Sequence, residues 1–478
     1  MRRKVSDQLK EWKSRKDRRS LLLRGARQVG KTYSLVEFAS REYRHHILLD
    51  FVKDPKLKDI FQSGLDVDSI ILRISARYPD EDIVPYETAL IFDEVQECPA
   101  AYASLKSFSD DPRYDVLASG SLLGLKLNDL PDVPVGHLKR IDMHPMDFEE
   151  FLWAIGLKDA VIGEIRSCIK DRRPLGGGLH DTIREYMDWY MLVGGMPSAV
   201  EAFVQDRSFS RVRSIQRDIV EDYKEDIAKH CAESDRLKTE RCFDSLSMQL
   251  AKDNRRFMVS KVEPELGYRP SSERYEYALN WLCKAGIALE SRKVTDIRLP
   301  PEEPGSKRIG EWDAGDGDVP GEQLFKLYVV DTGLLACQYD PAIYSEIVSG
   351  NIEVNKGALT ENLVACQLAC QDRKLLYYEK VREMEIDFIL DIGGRPAAIE
   401  VKSGRKRSCS SLNKAMEHFG AKGIMLDTLD IFEDDKGVQH YPIYAASFLD
   451  CIDARVMPTA DFGSVERLNG GERSGDPV

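Results

Sequence analysis

Over the first 155 residues, short apolar runs alternate with longer stretches of helical spacing. The runs are SLLLRG from Ser20, HHILLDF from His45, TALIFDEV from Thr88, YDVLASGS from Tyr114 and LKRIDMHP from Leu138. Strand-length runs alternating with helix-like segments predict an α/β fold with a parallel sheet. Residues 156–235 lose these runs and become charged and amphipathic, interrupted at Gly176, Gly177 and Gly178, which predicts a helical connector or lid.

From 236 to 325 the pattern changes again. CFDSLSMQLAKD and SERYEYALNWLCKAG read as helices, Gly286 stands at a helix stop, and IALESRKV follows as a strand, an order that fits three helices and a wing. Leu299 to Glu322 holds four prolines and five glycines among many acids and is expected to be an exposed linker or wing tip. FKLYVVDTGLL, a helix around Thr360 to Gln371, and the strand pair EIDFIL and AAIEVKSG predict a second, smaller α/β domain over 326–455. A disordered tail is expected at 456–478.

A length of 478 residues agrees with this modular reading, since one core rarely organises so long a chain. Hydrophobic residues at 42% and charged residues at 31% describe a soluble composition. No apolar run reaches the roughly 18 residues of a membrane helix, and the N-terminus lacks a signal-peptide pattern, so no membrane partner and a cytoplasmic location are expected. The ten cysteines form no CxxC pair and no Cys/His set at zinc spacing, so they read as reduced, packed thiols; Cys366 and Cys370 share a helix face. Net charge is −13, yet residues 2–19 carry nine basic against three acidic residues, and Lys402, Arg405, Lys406 and Arg407 form a second basic run. Such runs are mostly solvated faces, but nucleic-acid binding depends on local patches.

The most specific chemistry lies in Gly25-Ala26-Arg27-Gln28-Val29-Gly30-Lys31-Thr32, a complete GxxxxGK[ST] P-loop placed between a strand and the helical TYSLVEFAS. Its backbone amides and helix N-terminus suit phosphates, Lys31 the β/γ-phosphates, and Thr32 a magnesium ion. ALIFDEVQ ends a buried strand with Asp93, placed for magnesium, and Glu94, placed to polarise the attacking water. Mg-ATP is therefore the expected ligand, and hydrolysis the expected reaction. Ser119 or Ser121 could sense the γ-phosphate, although a plain strand-end turn at Gly120 explains them equally well. An arginine finger from a second copy would complete the site, with Arg140 and Arg113 as candidates and a homo-oligomer implied.

GARQVGKT, IFDEVQ, ASGSLLG, HPMDFEEFL, LVGGMP, KLYVVDTGLL, GALTENLVACQL, EIDFIL and IEVKSG occur in this order. Together they resemble the prokaryotic AAA-type ATPases that carry a C-terminal domain of unknown function related to restriction endonucleases. The resemblance covers most of residues 17 to 450 and leaves out the acidic insert and the tail. It implies an architecture more than a purpose.

In the C-terminal part, Glu400 and Lys402 share one face of a strand while Ile399 and Val401 enter the core. Asp387 on the preceding strand and Glu361 on a helix could join Glu400 around a magnesium ion, with Lys402 orienting a water for phosphodiester cleavage. The family resemblance implies the same four residues, and an ordinary half-exposed strand remains the competing explanation. The middle segment adds Arg255, Arg256, Lys261, Arg269 and Arg274 as a DNA-facing set, diluted by Glu263, Glu265, Glu273 and Glu276. The leading expectation is an ATPase acting on nucleic acid, with DNA as a candidate partner. The alternatives are a nucleotide-gated DNA-binding switch with an inert nuclease-like domain, and a protein-interaction ATPase.

Overall fold

A computed structural model describes residues 1–62, 64–122, 136–251, 257–263, 273–298, 325–350, 356–380, 382–404 and 408–452. The expected linker at 299–322, the tail at 456–478, and Arg255, Arg256, Glu265, Arg269, Arg405, Lys406 and Arg407 lie outside these residues.

All five N-terminal runs are strands: β1 Ser20–Gly25, β2 His45–Asp50, β3 Thr88–Asp93, β4 Asp115–Ser121 and β5 Leu138–Met143. They form one parallel sheet in the order β2-β3-β4-β1-β5. Every residue of β3 is buried, as expected of a central strand covered on both faces. One face packs against Val67–Arg77 and Pro99–Asp110, the other against Val5–Ser14 and Lys31–Glu42. Because the strands are parallel, all their C-terminal ends meet at one edge, where open α/β sheets bind ligands.

Residues 156–235 are helical, with helices at Asp159–Asp171, Gly177–Val193, Pro197–Asp206 and Phe209–His230. After Glu233–Leu250 and Glu273–Ala285 come β6 Ala288–Val294 and β7 Phe325–Val329, an antiparallel pair. That pair does not stand apart as a free wing. β6 also pairs with β8 Leu376–Lys380, which pairs with β9 Met384–Ile386, giving the order β7-β6-β8-β9. The expected boundary at 325/326 thus falls within a strand. A third sheet, β10-β11-β12-β14-β13, contains β10 Phe388–Asp391, β11 Pro396–Val401, β12 Lys422–Asp427, β13 Phe432–Glu433 and β14 Gln439–Pro442.

One continuous apolar core runs from Met146 to Leu449 through the connector, the middle helices and the third sheet. The short motifs of the sequence form its joints. Gly194 and Gly195 of LVGGMP make a turn against Asp331 of KLYVVDTGLL: the Gly195 amide donates to Asp331 Oδ2 at 2.6 Å and the Leu334 amide to Oδ1 at 3.0 Å. A Cβ on Gly194 would lie 2.1 Å from that carboxylate, so only glycine admits the contact. Gln367 of GALTENLVACQL accepts the Phe148 amide of HPMDFEEFL at 3.0 Å and donates to Tyr190 Oη at 3.0 Å. Cys366 donates to the Val329 carbonyl at 3.3 Å and Cys370 to that of Pro145 at 3.7 Å, packing roles as expected. All ten cysteines are free thiols.

Candidate functional site

The loop Gly25–Gly30 leaves β1 and enters the helix Lys31–Glu42 at the C-terminal edge of the first sheet. A Cβ at Gly25 would come 2.2 Å from the Met143 carbonyl oxygen, so the close strand neighbour β5 demands glycine. Gln28 and Gly30 take positive φ values of 65° and 94°, the twist that turns successive amides inward. The buried Lys31 donates to the carbonyls of Ala26 at 2.8 Å and Gly25 at 3.2 Å. Burial lowers the pKa of its ammonium, against the pull of Glu94 and Asp93.

Thr32 Oγ1 donates to Asp93 Oδ1 at 2.7 Å, and Ser119 Oγ donates to the same oxygen while accepting the Glu94 amide at 3.1 Å. This convergence follows from the strand order: β4 lies between β1 and β3, so Ser119 faces Asp93 directly. Burial raises the Asp93 pKa, against hydrogen bonds from Ser119 and Thr32. A carboxylate and a hydroxyl in contact at a phosphate loop suit a hydrated Mg2+ ion. Glu94 takes a left-handed backbone (φ 52°, ψ 50°), costly for a side-chain-bearing residue, and its Oε2 accepts from Gln96 Nε2 at 2.5 Å. Ser121 ends β4 beside Gly25 in register.

The two arginine-finger candidates lie away from this loop. Arg113 precedes β4, at the opposite edge of the sheet, and pairs with Asp111 at 2.6 Å and Asp68 at 2.8 Å. Arg140 is exposed on the edge strand β5, in register with Leu22.

Contacts that sequence patterns did not reveal hold the loop from outside. Arg3, only 7% exposed, donates to the Val29 carbonyl at 2.8 Å and the His144 carbonyl at 2.7 Å, and pairs with Glu150 at 3.1 Å. Lys4 pairs with Asp147 and Glu149 at 2.5 and 2.7 Å. Part of the N-terminal basic run is therefore a fastening rather than a solvated face. On the other side, Arg27 pairs with Asp226, and Gln28 Nε2 donates to Asp222 Oδ2 at 2.6 Å, tying the loop to the helix Phe209–His230. Gly286 presses on the loop as well: a Cβ there would stand 2.8 Å from Leu122 and 3.5 Å from the Ala26 Cβ.

The C-terminal acidic residues gather at the junction of the second and third sheets. Asp387 lies between β9 and β10, and its Oδ2 accepts the Val401 amide at 2.9 Å. Glu400 on β11 is 4% exposed and faces Lys402 at 3.5 Å. Burial first, then the charge of Asp387, push its carboxyl up to about 7. Glu361 Oε1 accepts from Tyr328 Oη at 2.6 Å. An unexpected cation joins them: Lys326 Nζ on β7, 1% exposed, is 3.3 Å from Glu361, 3.3 Å from Glu385 and 3.7 Å from Asp387. The one sequence signal was a lysine inside the otherwise apolar strand FKLYVV.

In the middle segment, Glu263 is buried, pairs with Arg241 and with Arg274 at 3.6 Å, and accepts from Tyr275. Arg274, expected to face DNA, is thus engaged internally. No helix of the described residues is long and apolar enough to cross a membrane.

Family models match three stretches of the chain: an AAA domain over residues 17–152, and domains of unknown function over 184–340 (DUF8612) and 356–445 (DUF4143). No curated protein matches the chain. Among solved structures it is similar to a Walker-type ATPase of Pyrococcus abyssi, at 14% identity and a TM-score of 0.39, over 71% of this chain and 95% of that one. It is also similar to the Aeropyrum pernix Orc1 protein in complex with DNA, at 12% identity and a TM-score of 0.26, over 73% and 90% of the two chains. The N-terminal sheet and its phosphate loop form an AAA-type P-loop domain.

Proposed function

We propose that the AAA-type domain binds Mg-ATP between the loop Gly25–Gly30 and Asp93 and hydrolyses it, and that the nucleotide state controls action of the C-terminal part on nucleic acid. The observation that carries the first half is the cluster of Thr32, Asp93 and Ser119 beside Lys31 at one sheet edge. In this reading the amides of Ala26 to Thr32 and the Lys31 ammonium hold the β- and γ-phosphates. Lys31 exchanges its carbonyl partners for phosphate oxygens, Thr32 and Asp93 hold the magnesium, and Glu94 accepts a proton from the attacking water while Ser119 fixes the Glu94 backbone. The chain is a cytoplasmic enzyme whose arginine finger comes from a second copy.

The test is a phosphate-release assay. Lys31→Ala should lose ATP binding, and Glu94→Gln should bind ATP while its turnover falls by about 10²- to 10⁴-fold. Equal turnover by wild type and Glu94→Gln would refute the catalytic assignment.

For the second half, Glu361, Asp387, Glu400 and Lys402 are proposed to bind Mg2+ and cut a phosphodiester, with the helices before β6 and the β6–β7 pair docking on DNA as a winged helix. Lys326 favours a second reading. An ammonium within 4 Å of both Glu361 and Asp387 already supplies positive charge where the metal would act, which supports an inert nuclease-like domain inside a nucleotide-gated switch. Incubating wild type and Asp387→Ala with single- and double-stranded DNA and RNA, in Mg2+ or Mn2+, with and without ATP, separates the two. Cleavage lost in Asp387→Ala supports the nuclease; no cleavage in any condition supports the switch.

A further inference from the structure

The third sheet holds a separate group of ligand-type side chains, distant in sequence and close in space. Cys409 stands at the N-cap position of the helix Ser410–Phe419, Asp434 follows β13, and His440 lies on β14. Their ligand atoms all lie within 4.8 Å of one another, the one such group of three among the described residues. His440 Nε2 is 4.0 Å from Cys409 Sγ and 3.9 Å from Asp434 Oδ2. These gaps are wider than good hydrogen bonds. They are close to the roughly 3.5 Å between neighbouring ligands of a tetrahedral zinc ion, given bonds of about 2.0 Å to nitrogen and about 2.3 Å to sulfur.

Two of the three ligands are also held in position by other groups. His440, 4% exposed, places Nδ1 2.9 Å from Oδ2 of the fully buried Asp427. With Asp427 accepting from Nδ1, Nε2 is the ring nitrogen that faces Cys409 and Asp434, the arrangement of a carboxylate–histidine–metal relay. Phe432 stacks on the ring at 4.2 Å. Asp434 Oδ1 accepts the amides of Lys436 and Val438, both at 2.9 Å, which turns Oδ2 toward His440.

We propose that Cys409, Asp434 and His440 bind a divalent ion of the zinc class, with Asp427 orienting His440 from behind. Thiolate and imidazole select a borderline-soft ion over magnesium, and three protein ligands leave a fourth position for water. Binding releases the Cys409 thiol proton to solvent as the metal–sulfur bond forms, so affinity rises with pH. The ion would fasten the helix Ser410–Phe419 to the β13–β14 hairpin. It is independent of the Mg-ATP site in the first sheet.

The test uses full-length protein stripped with a chelator and titrated with zinc in excess Mg2+, so that oxygen-only sites are filled. Co2+ serves as the spectroscopic probe. Wild type should take up one equivalent, show a thiolate-to-cobalt charge-transfer band and gain protection of Cys409 from iodoacetamide. Cys409→Ser, which places a favourable residue at the N-cap position, should lose the zinc and the band while keeping its circular dichroism. Asp427→Asn should keep the band with affinity lowered about 10- to 100-fold. Three results would overturn the proposal: no zinc bound by wild type, zinc bound equally by Cys409→Ser, or Cys409 alkylated at one rate with and without zinc. The last would mark a free thiol beside an imidazole.

Discussion

Replacing Glu400 with glutamine should stabilise the C-terminal part of the chain at pH 8 and change it little at pH 5. Burial, with Asp387 beside it, raises the Glu400 carboxyl from an ordinary 4.5 to about 7, although Lys402 opposes the shift. The folded chain therefore holds this proton more tightly than the unfolded chain does. The resulting stability is complete below the unfolded value and is lost as pH rises through 7. At about 1.36 kcal/mol per decade, an ionised Glu400 at pH 8 costs about 3 kcal/mol, and at pH 5 under about 1 kcal/mol. The core from Met146 to Leu449 unfolds with an entropy of roughly 2 cal/mol/K per residue, so about 3 kcal/mol corresponds to about 5 °C in its melting temperature. Calorimetric melting of wild type and Glu400→Gln from pH 5 to pH 8 measures it. A variant melting at or below wild type at pH 8 would show that the buried charge carries no such cost. Repeating the scan with Mg2+ separates the two readings of the domain: a metal held by Glu400 raises the wild-type midpoint and not the variant's, whereas an inert pocket responds alike in both.

Arg27→Ala and Asp226→Asn should each loosen the phosphate loop from the helix Phe209–His230. Their double-mutant cycle should show coupling of about 1 kcal/mol in ATP affinity, because Arg27 is partly exposed; zero coupling would mean the pair is incidental. Gly25→Ala forces a Cβ to within 2.2 Å of the Met143 oxygen, so nucleotide binding by calorimetry should vanish while the C-terminal melting transition persists. Lys326→Met leaves Glu361 and Asp387 without their buried cation and should destabilise the C-terminal part by about 3–5 kcal/mol in chelator, with Mn2+ restoring part of it. A variant as stable as wild type in chelator would show that the lysine does not balance the cluster.

The features legible in the sequence were those whose chemistry is local. GARQVGKT places its glycines, lysine and threonine within one turn of chain, and each has a role set by the backbone around it, so the loop could be read from eight consecutive residues. The inner runs β1, β3 and β4 became strands for a similar reason: burial on both faces leaves a solid hydrophobic signature that needs no knowledge of neighbours, while the edge strands β2 and β5 are buried only in part. Asp93 and Glu94 were equally visible at the end of such a run.

Strand order, by contrast, is a property of the chain's path, and no local pattern encodes it. Only the insertion of β4 between β1 and β3 set Ser119, rather than Ser121, against Asp93. The same limit hid Arg3 against Val29, Asp226 against Arg27, and Asp331 against the Gly194–Gly195 turn, partners separated by 26 to 199 positions in sequence. It also hid Lys326, whose place in FKLYVV reads as one polar residue in a strand until β7 joins β6 and carries it beside Glu361 and Asp387. Cys409, Asp434 and His440 match no ligand spacing because a helix and two strands separate the first from the last, and only the pairing of β12, β13 and β14, with the helix Ser410–Phe419 beside them, brings them within reach of one ion. Burial and charge are summed over space, so the sequence could supply the ligands and the loop, while the packing of the sheets decided which groups share a site.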